Sequence, residues 1–434
     1  MGVEYTSRRI QRGDSSSMAA GAHSAEPLPV QLKAPSRLKI APLVAYAVLL
    51  GLVSIHLYKN PIYSMDSIQY MGNALLMEVT DPVIIHQRVY SEINLRVPRG
   101  PRDQLLGRQS GAPEDQNESR QQRATNPYRF MEFLPLFAIR PLYNQALWLV
   151  SKTGMGLVRA SIFLSVAPYF LLGILLMIWV SQYVNATLAI LIAFLLMISP
   201  PLLELGRCTG SDALATLFAF LSLYLIFERS LLTAGLAILL AAIYFRTDNL
   251  VLAGPVILAC WLERRVDFVK ASALAALALG SALSINHFAG DYGIKMLYFR
   301  NFVGTPVAPG EMMVQFSFHD YLAALRSGIT LFAGSFIVPF LLVGIGGFFA
   351  ARRMRSVAVV TLAYVLVHFV ALPNWQERWF GVFYLSMAVA AAETLQGQMP
   401  APPGAARLLD SQTSLKNEDE REARITACQG SKER

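Results

Sequence analysis

Long apolar runs broken by short polar stretches carry the chain from residue 40 to residue 394. Each run is roughly 17 to 25 residues, the length at which a helix crosses about 30 Å of hydrocarbon, where lipid offers backbone groups no partner outside the helix itself. The pattern predicts an all-α polytopic membrane protein of about ten transmembrane helices, centred on residues 40–57, 158–181, 187–203, 211–227, 231–245, 248–262, 270–288, 329–350, 356–372 and 379–394. Residues 1–39 are polar and basic (Arg8, Arg9, Arg12, Lys33, Arg37, Lys39) without an apolar run, which predicts a disordered tail ahead of an uncleaved first anchor. Residues 395–434, mixed in charge and containing Pro and Gly, read as a second solvated tail.

Sidedness follows from the short basic loops, because Lys and Arg accumulate on the cytoplasmic face. Arg264, Arg265 and Lys270 separate the sixth and seventh runs, and Arg352, Arg353 and Arg355 separate the eighth and ninth. Counting spans puts both loops and the basic N-terminus inside, and an even number of spans returns the C-terminal tail there too. The opposite face then receives the first loop (58–157), the Glu204–Ser211 turn, the Arg246–Asn249 turn, the loop from about 289 to 328, and the segment Asn374-Trp375-Gln376-Glu377-Arg378.

Within the first loop, Gly100 to Asn126 is rich in Arg, Gln, Glu and Pro and reads as an exposed excursion without chemistry. Its flanks, around Ile84–Tyr90 and Phe130–Tyr143, mix aromatics and Arg at helical spacing and read as interfacial helices.

Composition sharpens the class. Of 434 residues, 54% are hydrophobic and only 15% charged, with mean hydropathy +0.43, more apolar than a soluble core needs. The net charge of +8 is dispersed over topogenic loops, tails and the outer loop, so membrane topology rather than nucleic acid accounts for it. Cys208, Cys260 and Cys428 form neither a disulfide framework nor a zinc spacing, and no Gly-rich phosphate loop follows a strand pattern. No cofactor is expected, and a divalent metal, though compatible with the chemistry, has no support in the sequence.

The chemistry is therefore sought where polar clusters share the outer face. Asp66, just beyond the first span, is placed to accept the proton of a hydroxyl nucleophile. Arg207, Arg246, Lys295, Arg300 and Arg378 are the cations available to hold a phosphate, Arg gripping it with two bonds. Asp212, Asp248, His86 and Arg88 complete the candidate binding set, and Tyr70 and Tyr292 are candidates for a sugar pocket. Plainer roles stand beside these. Asp212 and Asp248 suit the first turn of a helix, Arg246 can pair with Asp248, and Arg378 can anchor at the interface between Trp375 and Trp379. His287 reads as a packing residue, and His56 and His368 carry less weight still.

Four short motifs in order carry a resemblance: Met65-Asp66-Ser67-Ile68-Gln69-Tyr70-Met71; Ser199-Pro200-Pro201 followed by Gly210-Ser211-Asp212-Ala213-Leu214-Ala215-Thr216; Phe245-Arg246-Thr247-Asp248-Asn249-Leu250; and Glu377-Arg378-Trp379-Phe380. Over residues 40–394 the chain resembles the GT-C superfamily of integral-membrane glycosyltransferases, and within it the polyprenyl-phosphate-sugar-dependent branch of protein mannosyltransferases and aminoarabinose transferases. The resemblance implies Asp66 as base, a lipid-linked sugar donor, an envelope lipid, glycan or protein acceptor, inverting displacement at the anomeric carbon, and a bacterial inner (plasma) membrane with both termini cytoplasmic. Two departures stand out: Asp66 has no adjacent second acid, and no soluble domain follows the last span. The alternative class, a transporter or lipid-linked-sugar flippase, calls for charges at mid-membrane depth and internal repeats. The middle of nearly every run is free of charge.

Overall fold

The computed structural model describes residues 40–398 apart from 112, 291, 303, 305, 307, 308, 310–316, 351, 352, 374 and 375. Both tails, Cys428, Arg352, Asn374 and Trp375 lie outside the described residues. Among those described the chain is helical throughout, with no strand.

The first apolar run forms α1 (Ile40–Lys59), and the long segment that follows it folds into seven helices: α2 (Met65–Leu75), α3 (Pro82–Arg96), α4 (Arg99–Leu105), α5 (Glu114–Thr125), α6 (Pro127–Phe133), α7 (Pro135–Ala138) and α8 (Pro141–Val150). Local sequence sets their starts. Ser64 caps α2, Asp81 caps α3, and Asn126 caps α6, each accepting hydrogen bonds from the first free N–H groups, while Pro82, Pro127, Pro135 and Pro141 open helices where no N–H is needed.

The excursion expected between Gly100 and Asn126 is corrected by the structure. It forms α4 and α5, and α5 buries Ser119 and Arg123. The Arg123 guanidinium lies 4.2 Å from the centroid of the Phe133 ring and donates to the Ser119 carbonyl. One long cation supplied the missing anchor, its stem packing as an apolar residue would.

The remaining runs form α9 (Leu157–Val180), α10 (Ala186–Met197), α11 (Pro200–Arg207), α12 (Asp212–Leu223), α13 (Leu232–Phe245), α14 (Leu250–Leu262), α15 (Phe268–Phe288), α16 (Gly293–Phe302), α17 (Phe318–Ala333), α18 (Ile337–Ala350), α19 (Arg355–Ala371) and α20 (Gly381–Gln398). Three of them, α1, α9 and α15, are long and apolar enough to cross a membrane. Two bent pairs, α10 with α11 and α17 with α18, raise that number to five if each pair is one span.

The bends correct two predicted spans. The run at 187–203 breaks by 65° at Ser199-Pro200, where proline cannot continue the hydrogen-bond ladder, and the run at 329–350 breaks by 79° at Gly334-Ser335-Phe336.

The bundle is organised around α9, against which α1, α10, α11 and α12 pack, while α14 packs on α15 and α19, and α18 on α19 and α20. Close approach relies on small residues, as lipid provides no hydrophobic drive between helices. A Cβ added at Gly173 of α9 would collide with Leu50 and Tyr46 of α1.

The two basic loops read from the sequence meet at one end. Arg265 donates to the Ile226 carbonyl, Arg353 pairs with Glu228 at 3.2 Å, and Glu228 also accepts from Trp179 and Tyr183. That end lies beyond the C-termini of α12 and α14; the acids Asp212 and Asp248 stand at their N-termini.

Candidate functional site

Asp66 is positioned by a knot tying the exit of α1 to the entry of α12. Ile62 N–H donates to the Arg207 carbonyl at 2.8 Å, Thr209 N–H donates back to the Ile62 carbonyl, and the Thr209 hydroxyl accepts from Ser64 N–H. Ser64 then caps α2, so Asp66 emerges from its first turn in a fixed orientation. Arg207 itself donates to the Asn60 carbonyl as part of this knot.

From the far side of the sequence, Arg300 on α16 donates to Asp66 at 2.8 Å, its guanidinium 4.5 Å from the Phe137 ring centroid. The pair is 27% and 29% exposed, open enough for a ligand to reach. Burial alone would raise the Asp66 carboxyl, but Arg300, Arg140 and Arg378 together outweigh it and hold it below its ordinary range.

Next to it lies a denser network. Arg246, at the end of α13, grips Asp248 with two bonds (2.9 and 2.5 Å) and Asp212 with a third (2.5 Å). The second Asp212 oxygen lies 3.0 Å from Arg378 Nε, and Asp248 lies 3.2 Å from His368 Nε2. Arg378 also donates to Gln376 at 2.7 Å and to the Cys208 sulfur at 2.6 Å, with Glu204 at 3.4 Å. His368 is fully buried among Tyr364, Trp379 and Phe380, and Arg246 lies 5.4 Å from the Trp379 ring centroid. Burial pushes the Cys208 thiol up to about 12 despite Arg378, which leaves it a thiol.

Six of the sequence candidates thus converge: Asp66, Asp212, Arg246, Asp248, Arg300 and Arg378. They come from five separate stretches of chain, at the ends of helices. The others stand apart. His86 is buried, hydrogen-bonded to the Arg123 carbonyl and packed on Tyr90 and Phe130, and burial lowers its pKa. Arg88 faces Glu78 at 3.8 Å, alongside Lys152. Tyr70 is 1% exposed, wedged against Phe137 and Tyr143, and the Tyr292 hydroxyl is held by the Glu132 carbonyl. Lys295 belongs to α16, and its side chain lies outside the described residues.

Two members were missed. His368 lay inside an apolar run and its partner is 120 residues away, so no local signal marked it. Arg140 sits before Pro141 in an aromatic stretch that resembled an interfacial anchor. It lies within electrostatic reach of Asp66, Asp212, Asp248 and Arg246, and stacks 5.2 Å from the Tyr70 ring centroid. Among the described residues its side chain makes no ion pair and no hydrogen bond. No group of three or more His, Cys, Asp or Glu side chains able to hold a metal ion occurs among the described residues.

Comparison with models of known protein families, with curated proteins and with solved structures gives no match.

Proposed function

We propose that the chain is a membrane glycosyltransferase that moves a sugar from a polyprenyl-phosphate donor to an envelope acceptor on the extracytoplasmic face, with about ten helices spanning the bilayer and the first-loop helices roofing the site. The observation that carries this reading is the placement of an ionised acid, Asp66, against two partly buried guanidinium groups, Arg300 and Arg140, one of which has no carboxylate of its own.

The donor presents a phosphate and an anomeric carbon within one molecule. Arg140 and Arg300 are placed to bind the phosphate and to stabilise the charge that develops on it as the sugar–oxygen bond breaks. A phosphate drawn to Arg300 competes with Asp66 for that guanidinium. Freed of its partner, the carboxylate becomes a stronger base at the moment an acceptor hydroxyl arrives. It takes the hydroxyl proton, the oxygen attacks the anomeric carbon from the side opposite the phosphate, and the configuration inverts. Arg246, Arg378, Asp212, Asp248 and His368 serve as the frame that holds this geometry, since their charges already face one another in ion pairs.

The test is transfer of labelled sugar from polyprenyl-phosphate donors by membranes carrying the full chain. Asp66→Asn should insert normally and lose about 10²- to 10⁴-fold in transfer, the ordinary contribution of a positioned base. Undiminished turnover in that variant would remove Asp66 from the reaction.

A further inference from the structure

A cavity of about 380 Å³, lined by neither Asp66 nor the arginines around it, lies between the end of α1, the end of α3 and the start of α9. Tyr58, Tyr63, Arg96 and Arg159 surround a floor of Val158 and Ile162. Its size falls within the roughly 300 to 1,000 Å³ typical of small-molecule sites.

Charge and depth identify the occupant. Arg96 is shared with Glu92, at 2.8 Å, whereas Arg159 is exposed and has no ion-pair or hydrogen-bond partner among the described residues. No side chain caps α9, whose first turn borders the cavity, so its free N–H groups add partial positive charge. Glu92 is the acid next to the cavity, and two guanidinium groups outweigh it. The cavity lies where two long apolar helices end together, and Tyr and Arg are the residues that settle at headgroup level. Below it the exposed apolar residues Leu52 and Ile55 of α1 and Phe163 of α9 continue the same faces toward mid-membrane, since Ile55 and Tyr58 are three apart and Arg159 and Phe163 four apart.

We propose that this cavity binds the phosphodiester headgroup of an anionic bilayer lipid, with the two arginines and the tyrosines around the phosphate and the acyl chains along Leu52, Ile55 and Phe163. The proposal rests on α1 and α9 crossing the bilayer. It is independent of sugar transfer, which its test does not read.

The full chain, reconstituted in phosphatidylcholine bilayers, is titrated with phosphatidylglycerol carrying a fluorescent acyl chain, and binding is followed by energy transfer from the protein. Each juxtamembrane charge is worth about five-fold in affinity, so Arg159→Gln should weaken binding about five-fold and the Arg96→Gln/Arg159→Gln pair more, at unchanged melting temperature. Arg159→Lys should retain most of the affinity, because a point charge suffices at an exposed position. Equal binding by the double variant, or displacement of the lipid by inorganic phosphate at matched concentration, would overturn the lipid assignment; the latter would make it a site for free phosphate.

Discussion

Two clusters of acids and arginines lie side by side in this protein and are built on opposite principles. Around Arg246 most charges are matched: two aspartates cover one guanidinium, and His368 and Arg378 flank those aspartates, with His368 Nδ1 and Arg378 Nε left without a hydrogen bond. Around Asp66 the count is left open, with one arginine paired at a partly exposed position and another, Arg140, unpaired. A buried ion pair is costly to desolvate and costlier still to break, so a closed network holds five helix ends in register but has nothing left for a ligand. An open one has less to lose when a charged substrate arrives. The contrast separates the frame from the groups proposed to react more sharply than proximity, since all of these residues are neighbours.

Substitutions that treat the two clusters alike should produce unlike results. The largest stability effect is expected from Asp248→Asn, which takes one carboxylate from a 7% exposed arginine and should destabilise the protein by about 3 to 5 kcal/mol, read as a lowered melting temperature of the solubilised protein. Asp66→Asn, the same chemical change a short distance away, should leave that temperature nearly unmoved while removing transfer. Equal melting shifts in the two would erase the distinction between them.

Arg140→Gln should raise the donor Michaelis constant about 10- to 100-fold, the loss of one charge-assisted bond to phosphate, with little change for the acceptor. An unaltered donor constant would assign Arg140 to packing on Tyr70.

The smallest effect concerns pH. The folded-state pKa of Asp66 is depressed, so the carboxylate stays ionised to below the usual carboxylate range; the small stability its pairing contributes is full above that range, declines as pH falls below it, and is gone once pH has fallen through the depressed value. The acidic limb of kcat/KM should accordingly lie below the ordinary range for an aspartate. Arg300→Gln removes the nearest cation and should move the limb upward. A limb unchanged by that substitution would place the proton-accepting group elsewhere.

Much of the molecule was legible in its order of residues. The apolar runs gave helices, two of the predicted spans being broken by a bend, and Asp66, Asp212, Arg246, Asp248, Arg300 and Arg378 could be nominated because charged residues beside apolar runs are rare enough to stand out. Other features left no such mark. Arg123 sat in a stretch as polar as any solvated loop, and only the packing of α5 on α6 explains its burial. His86 had the composition of a ligand and the position of a core residue.

The sequence by itself determined class, helix positions and the grouping of polar residues at helix ends, because these depend on local hydropathy and on chain length between breaks. Which arginine pairs with which acid was decided only by the tertiary structure. Hydrogen bonds act over about 3 Å, and the separations along the chain, 34 residues from Asp212 to Arg246 and 234 from Asp66 to Arg300, carry no information about that distance. The fold alone therefore chose the ion-pair network around Arg246, the unpaired Arg140 side chain and the bend at Gly334-Ser335, whereas the bend at Ser199-Pro200 follows from a local proline.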